Sequence, residues 1–277
     1  MFRLTLFRLA LFVIPLCAVI VVRARSNEPL TSELSKTVEL RDLTWVEVRT
    51  ALREGYKTVL VPTGGIEQNG PHMILGKHDY IVGWAADRIA LKVGHTLVAP
   101  VISYVPEGDF SPPTGHMRFP GTLGVSDSAF AGVLEGTARS LKAHGFTLIC
   151  FMGDHGQSQA VQREVAERLS KEWRDANVRV AHIDAYYDDR AQVKRLEAEG
   201  ETAASIGQHA SIIDTSELLA VHPSGVDLGK VAKAGGVSEE PGSSGDPTRS
   251  SAERGRSLIT MRIEAAAAQI EALRTAK

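Results

Sequence analysis

The chain has 277 residues, of which 43% are hydrophobic and 23% charged, and this is enough to build one large globular domain with a substantial core. Its formal net charge is -2 at pH 7, so the composition provides no broadly basic face for a phosphate backbone. This charge argues against a protein that binds nucleic acid.

The N-terminus has the pattern of a targeting segment. Arg3 and Arg8 precede an uncharged run over residues 9–22, and small residues follow at the spacing that a signal peptidase accepts. The run is shorter than the roughly 20 residues that cross a bilayer as a helix. We therefore predict a cleaved signal peptide over residues 1–26 and export to the periplasm or another extracytoplasmic compartment. The alternative is an uncleaved membrane anchor, because two further arginines lie close behind the run.

The rest of the chain, residues 27–277, alternates apolar runs with helical patterns, which is typical of a parallel α/β sheet. The apolar runs predict strands at residues 58–62, 96–104, 147–152 and 178–183. The helical patterns predict helices at residues 44–55, 80–93, 126–144, 159–173, 190–199, 215–221 and 253–277. Asp214 is expected to cap the helix that begins at residue 215. Residues 106–120 and 224–250 are rich in proline, glycine or serine and predict long loops, the second one as a flap over the site.

The cysteines and tryptophans of the mature chain are interpreted as core residues. Cys17 would be lost with the signal peptide, which leaves Cys150 alone in an apolar strand, so no intramolecular disulfide forms and we expect a small core residue. The tryptophans fall at or beside apolar helix positions and are predicted to lie in the core. They are Trp45, Trp84 and Trp173.

Polar side chains that bind metals follow two of the predicted strands. Glu67, His78 and Asp79 come after the strand at residues 58–62, and His155 comes after the strand at residues 147–152. Ligands in open α/β sheets bind beyond the carboxyl ends of the strands, so these side chains can meet at one site. Carboxylate and imidazole groups are ligands of zinc, manganese and iron. The spacing alone also fits solvated loop charges and histidines that only make hydrogen bonds.

Five segments in order resemble the creatininase (creatinine amidohydrolase) family. Residues 64–72, G-G-I-E-Q-N-G-P-H, are similar to its opening motif, usually G-S-x-E-Q-H-G-P-H-L-P-L-G-x-D, and residues 116–123, H-M-R-F-P-G-T-L, to its H-x-x-F-P-G-T-x segment. The other three segments are G-D-H-G-Q-S at 153–158, G-Q-H-A at 207–210 with the following D-T-S-E, and G-D-P at 245–247. The resemblance implies a three-layer α/β/α sandwich with a mainly parallel sheet. It also implies a homo-oligomer, commonly a hexamer, that hydrolyses the C-N bond of a small or cyclic amide by metal-activated water.

The resemblance also implies a set of metal ligands. Glu67 and His155 match two ligands of the family's first metal. The third ligand is His78 if the motif is counted without a gap, or Asp79 after a one-residue insertion, and Asp79 is slightly favoured. Asn69 and Gln157 stand where the second metal has a histidine and a glutamate. An amide oxygen is a poor zinc ligand, so we expect a single metal, zinc or manganese.

The remaining matched residues are assigned to catalysis or substrate binding. His209 matches the family's catalytic histidine and is expected to give a proton to the leaving nitrogen. Asp154 is a candidate for the missing general base, or else it only orients the turn. Predicted substrate-binding residues are Asn69, His72, His116 and Gln157, although His72 and His116 could equally be structural hydrogen bonders. The tryptophans that close over creatinine in creatininases have no match here, which argues against creatinine itself.

A second hypothesis is a non-catalytic protein that binds a small molecule on the same fold. Its motivation is that two ligands of the second metal have become the neutral amides of Asn69 and Gln157. The survival of Glu67, His155 and His209 together favours the enzyme.

Overall fold

The computed structural model describes residues 37–233 and 242–276. The predicted signal peptide or anchor at residues 1–26 lies outside these ranges, as does part of the predicted flap, so both stay predictions. Among the described residues, no helix has the length and apolar character that crossing a membrane requires.

Four parallel strands form the sheet in the order β2-β1-β3-β4. Their bounds are β1 Thr58–Thr63, β2 Thr96–Val98, β3 Leu148–Gly153 and β4 Arg179–His182. The predicted parallel sheet is therefore confirmed. β2 is shorter than its apolar run, because Pro100 has no N–H to donate. Beyond β2 the chain stays beside β1 through isolated hydrogen bonds, such as the one that Ile102 N donates to the Pro62 carbonyl oxygen at 3.0 Å.

Helices connect the strands and follow the last one. They are α1 Trp45–Arg53, α2 Lys77–Val93, α3 Asp127–His144, α4 Gln159–Glu172, α5 Arg190–Ala198, α6 Ala203–Ile206, α7 Ile212–Val221, α8 Gly229–Lys233 and α9 Ala252–Thr275. α7 begins three residues before the predicted start, so the prediction that Asp214 caps it is wrong. Asp214 lies in the first turn, and its Oδ2 accepts a hydrogen bond from Ala210 N at 2.7 Å. α8 lies in a stretch that was predicted to be loop.

The two faces of the sheet bury separate apolar clusters. Successive strand residues point to opposite faces, so Leu60, Cys150 and Met152 pack with α2, α7 and α9. Their neighbours Val59 and Phe151 pack on the other face with α1, α3 and α4. Helices therefore cover both faces, which gives the three-layer α/β/α sandwich that the sequence predicted. Cys150 is fully buried, as expected of a core residue.

The three tryptophans differ in burial. Trp173 is 4% exposed and belongs to the cluster with α1, α3 and α4, whereas Trp84 is partly buried against the cluster on the other face. Trp45, in contrast, is 71% exposed, so its predicted place in the core is wrong. The Arg49 guanidinium lies over its ring at 4.7 Å, one helical turn later.

α7 and α9 cross at a glycine. A Cβ at Gly255 would lie 1.7 Å from the carbonyl oxygen of Ser216, so the two backbones touch there. This close approach fixes Glu217 of α7 beside Arg262 of α9, with 2.7 Å between the Glu217 Oε2 and Arg262 Nη1 atoms. Both side chains support the site described below.

We predict that Gly255→Ala destabilises the fold. The methyl group must push α7 and α9 apart, and overpacking of this kind lowers the free energy of unfolding by about 1–3 kcal/mol. Chemical denaturation measures the effect. Gly132→Ala in α3 is the control, because no atom lies within 4 Å of its added Cβ. Replacing a helical glycine there should raise stability by roughly 0.5–1 kcal/mol. Equal stabilisation by both substitutions would contradict the close contact between the α7 and α9 backbones at Gly255.

Candidate metal centre

The site forms where β1 and β3 end side by side. Thr63 and Gly153, the last residues of these strands, are partners across the parallel ladder. The loops that follow therefore leave the same edge of the sheet, one carrying Glu67 and the other His155. A Cβ at Gly64 would lie 1.9 Å from Asp79 Oδ1, so a glycine is needed where the first loop passes the start of α2.

The Glu67 carboxylate lies at the centre of the site and is 1% exposed. Its Oε2 atom is 2.9 Å from His155 Nε2 and 3.1 Å from His116 Nε2. One potential ligand atom from each of Glu67, His116 and His155 lies within 4.8 Å of the other two. The structure thus brings His116, which the sequence assigned to substrate, to the same point as two predicted ligands.

His78 and Asp79 point in different directions from the start of α2. His78 Nε2 is 2.6 Å from Glu67 Oε1. Asp79 instead accepts hydrogen bonds from Gly65 N at 3.1 Å and from Ser103 Oγ at 2.5 Å. The structure therefore brings His78 to the Glu67 cluster and does not bring Asp79, the slightly favoured alternative.

Asp154 lies behind His78 and is fixed by an arginine. Its Oδ2 atom is 2.7 Å from His78 Nδ1, and its Oδ1 atom is 2.5 Å from Arg262 Nη2. Burial works against the charge of Asp154, but Arg262 and His78 outweigh it and lower the pKa of the carboxyl to about 2. A carboxylate bound to the far nitrogen of a histidine orients that ring toward its partner.

His209 lies on the opposite side of Glu67. Its Nδ1 atom is 3.8 Å from Glu67 Oε1, and its Nε2 atom is 3.0 Å from the carbonyl oxygen of Gln68. Burial and the nearby Lys77 ammonium lower the pKa of His209. The ring also lines the cleft that reaches the cluster.

The three remaining predicted site residues do not belong to the cluster of Glu67, His116 and His155. Asn69 is buried, and its Nδ2 atom donates to the carbonyl oxygen of Glu67 at 2.9 Å and to that of Ile74 at 3.2 Å, which braces the loop. His72 is also buried, with Nε2 at 3.0 Å from Thr215 Oγ1 of α7. Gln157 is exposed and lines the rim of the cleft.

Three further charged residues were missed by the sequence analysis. Glu107 is fully buried, and its Oε2 atom is 3.1 Å from His155 Nε2. Lys77 is 1% exposed, with Nζ at 3.3 Å from Asp214 Oδ1 and 3.8 Å from Glu67 Oε1. The third is Arg262, described above. No motif marked them, although Glu107 belongs to a loop predicted to be long.

The electrostatics of the cluster favour positive charge. Burial opposes ionisation of Glu67, but His78 and His155 outweigh it and hold the pKa of that carboxyl well below its usual range. Burial likewise opposes the charge of His155, yet the Glu107 and Glu67 carboxylates raise its pKa to about 9. Burial lowers the pKa of His116 to about 4, so this ring offers a neutral nitrogen.

The donor set fits a divalent cation. A carboxylate and imidazole nitrogens converge on one point, and these are ligands that zinc accepts. A second buried carboxylate, Glu107, has no hydrogen bond to either oxygen among the described residues, which is costly unless a cation compensates it. The described residues thus provide one cluster of donors for a divalent cation, at Glu67.

Comparison with known proteins gives a consistent result. A family model described as creatininase, creatinine amidohydrolase, matches residues 41–270. A creatinine amidohydrolase from Pseudomonas putida is 28% identical over 203 residues, which are 72% of this chain and 77% of that protein. A mycofactocin precursor peptide peptidase from Mycolicibacterium smegmatis is 28% identical over 226 residues, which are 77% of this chain and 84% of that protein.

Solved structures share the fold. A manganese form of creatininase and a creatininase variant of zinc–zinc type give TM-scores of 0.71 and 0.70. Each is 24% identical, and the match covers 87% of this chain and 100% of the other. At this level of identity the likeness establishes the three-layer fold.

We predict that the protein retains about one equivalent of zinc or manganese per chain, because the described residues contain one cluster of donors. Glu67→Ala removes the central carboxylate and should abolish the bound metal. Gln157→Ala should leave it unchanged, because Gln157 lies at the exposed rim. Elemental mass spectrometry on protein lacking residues 1–26 measures the content. Two equivalents, or metal that persists in Glu67→Ala, would contradict this assignment.

Proposed function

Because this chain belongs to the creatininase (creatinine amidohydrolase) family, we propose that its cleft hydrolyses the carbon–nitrogen bond of a small amide with one divalent cation. The observation that carries the proposal is the convergence of Glu67, His116 and His155 on one point, with His209 on the same cleft. A metal site and a histidine outside it are together enough for hydrolysis.

The residues around Glu67 have different tasks in this proposal. Glu67 and His155 hold the cation, and His78 is kept in orientation by the Asp154 carboxylate at its other nitrogen. A bound zinc or manganese ion would supply Lewis acidity and lower the pKa of a coordinated water toward neutrality. Both oxygens of Asp154 are occupied, by His78 and by Arg262, and a pKa of about 2 makes this carboxylate a weak base, so we assign it to orienting His78 rather than to general-base catalysis.

His209 is the proposed proton carrier. It faces the cleft, and burial together with Lys77 lowers its pKa, so the ring is neutral at rest and can accept a proton. It takes the proton that the attacking water loses and gives it to the leaving nitrogen, which must be protonated to depart as an amine. The Gln68 carbonyl oxygen, 3.0 Å from His209 Nε2, positions the ring.

The substrate is proposed to be a small polar amide. The cavity at the cluster has a volume of about 190 Å³ and is lined by charged and polar side chains, including Lys77, Gln157 and Asp214. Among the described residues, no tryptophan lines it. This lining supports an amide other than creatinine, as the unmatched tryptophans suggested.

Two further parts of the proposal rest on the sequence and not on this site. Export to an extracytoplasmic compartment rests on the pattern at residues 1–26, with a membrane anchor as its alternative. The homo-hexamer rests on the family resemblance. A non-catalytic binding protein remains the alternative function, and absence of bound metal would favour it.

We predict that His209→Asn lowers kcat for amide hydrolysis by about 100- to 10,000-fold, the range that general acid–base groups contribute. The metal content should stay at the wild-type value, because His209 is not a proposed ligand. A panel of small and cyclic amides, assayed for released amine, provides the measurement. His144→Asn is a matched control, since this histidine is exposed at the end of α3. Full activity in His209→Asn would rule out the proton-carrying role.

A further inference from the structure

Glu107 is a buried carboxylate that the mechanism above does not use. It lies in the loop between β2 and α3, and its side chain is fully shielded from solvent. Its carbonyl oxygen accepts hydrogen bonds from His116 N at 3.0 Å and from Met117 N at 3.4 Å. The backbone therefore fixes Glu107 next to the segment that carries His116.

The Glu107 carboxylate lacks adequate partners. Its Oε2 atom is 3.1 Å from His155 Nε2, but that nitrogen is also 2.9 Å from Glu67 Oε2. One ring nitrogen therefore faces two carboxylates, and it can carry one proton. Among the described residues, no hydrogen bond of good geometry reaches either oxygen of Glu107. Buried carboxylates are otherwise paired or coordinate metals.

Glycines make room for Glu107 at the cluster. A Cβ at Gly65 would lie 2.9 Å from Glu107 Oε1 and 3.7 Å from His155 Cβ. A Cβ at Gly124 would lie 3.1 Å from Glu107 Cβ. The carboxylate thus packs against bare backbone two residues before Glu67, at a position where the family's motif usually has serine.

Gln157 stands where the family has a metal-binding glutamate, and Glu107 provides a carboxylate nearby. Gln157 follows His155 on the β3 loop, is exposed, and has a neutral amide. Its Nε2 atom is 3.2 Å from the position of a Cβ at Gly115, in the loop that carries Glu107. Residue 157 therefore supplies no carboxylate, while the neighbouring loop brings the Glu107 carboxylate to His155.

We propose that Glu107 is a further ligand of the cation held by Glu67 and His155. Two carboxylates balance the charge of a divalent ion, and together with His155 they make the three protein ligands that leave a position open for water. This inference rests on the proposed function, since it assigns a residue to the same cation. It also accounts for the burial of Glu107 without a full ion pair.

The test compares zinc affinity in the wild type and in Glu107→Gln, which keeps the side chain's shape and removes its charge. Competition with a chromophoric chelator measures the dissociation constant. Loss of an outer-shell partner typically weakens binding 10- to 100-fold, so loss of a ligand should weaken it by more than about 100-fold. Glu201→Gln is the matched control. Glu201 is also a buried carboxylate, but its partners are Arg249 and Arg254, outside the cleft.

Thermal melting with and without zinc separates a ligand from a structural residue. As a ligand, Glu107 is only partly compensated in the metal-free protein, where it shares the His155 nitrogen with Glu67. Glu107→Gln should then melt at the same or a higher temperature without zinc, and the rise in Tm that zinc produces should be largely lost. As a structural partner of His155 alone, the same substitution would lower the metal-free Tm and leave the zinc-dependent rise intact.

The outcomes distinguish this inference from the function on which it rests. If the wild type binds zinc and Glu107→Gln binds it within a few-fold as tightly, the assignment of Glu107 is wrong and the Glu67–His155 site stands. If the wild type binds neither zinc nor manganese, both the cation-dependent function and the role of Glu107 are overturned.

Discussion

The site is built around one buried carboxylate. Glu67 is 1% exposed, and an ionised carboxylate at such a position needs positive charge or strong donors around it. His78, at the start of α2, and His155, in the loop after β3, approach its two oxygens, and His116 and His209 approach from two more segments. The fold therefore gathers groups that are far apart in sequence at one edge of the sheet. That convergence is what a hydrolase with a bound cation requires.

A second layer of charges holds this arrangement in place. Arg262 of α9 bridges Asp154 and Glu217, at 2.5 Å and 2.7 Å, and Asp154 in turn holds His78. Breaking one partner of a buried pair is far more costly than losing an exposed one, so this chain of contacts resists change. α9 reaches Glu217 because Gly255 lets it lie directly on α7. The C-terminal helix thus contributes to the site through Arg262, which also lines the cleft.

The sequence predicted the sheet and the neighbourhood of the site better than the roles within it. Glu67 and His155 follow strands that are adjacent in a parallel sheet, so strand order alone could place them together. The choice between His78 and Asp79 depended on the direction of each side chain at the start of α2. Consecutive helical residues point about 100° apart, and the register of that first turn is not visible in the motif. Glu107 lies in a loop without periodicity, and its approach depends on glycines at positions 65 and 124, which only the folded structure brings near.

The most direct test of a single cation at Glu67 is diffraction at the zinc absorption edge from crystals grown with zinc. We expect one anomalous peak per chain, at about 2.0–2.2 Å from a Glu67 carboxylate oxygen and from His155 Nε2. Two peaks of similar height at the cleft would contradict the single-cation centre. No peak at the cleft would contradict the metal-dependent mechanism as a whole.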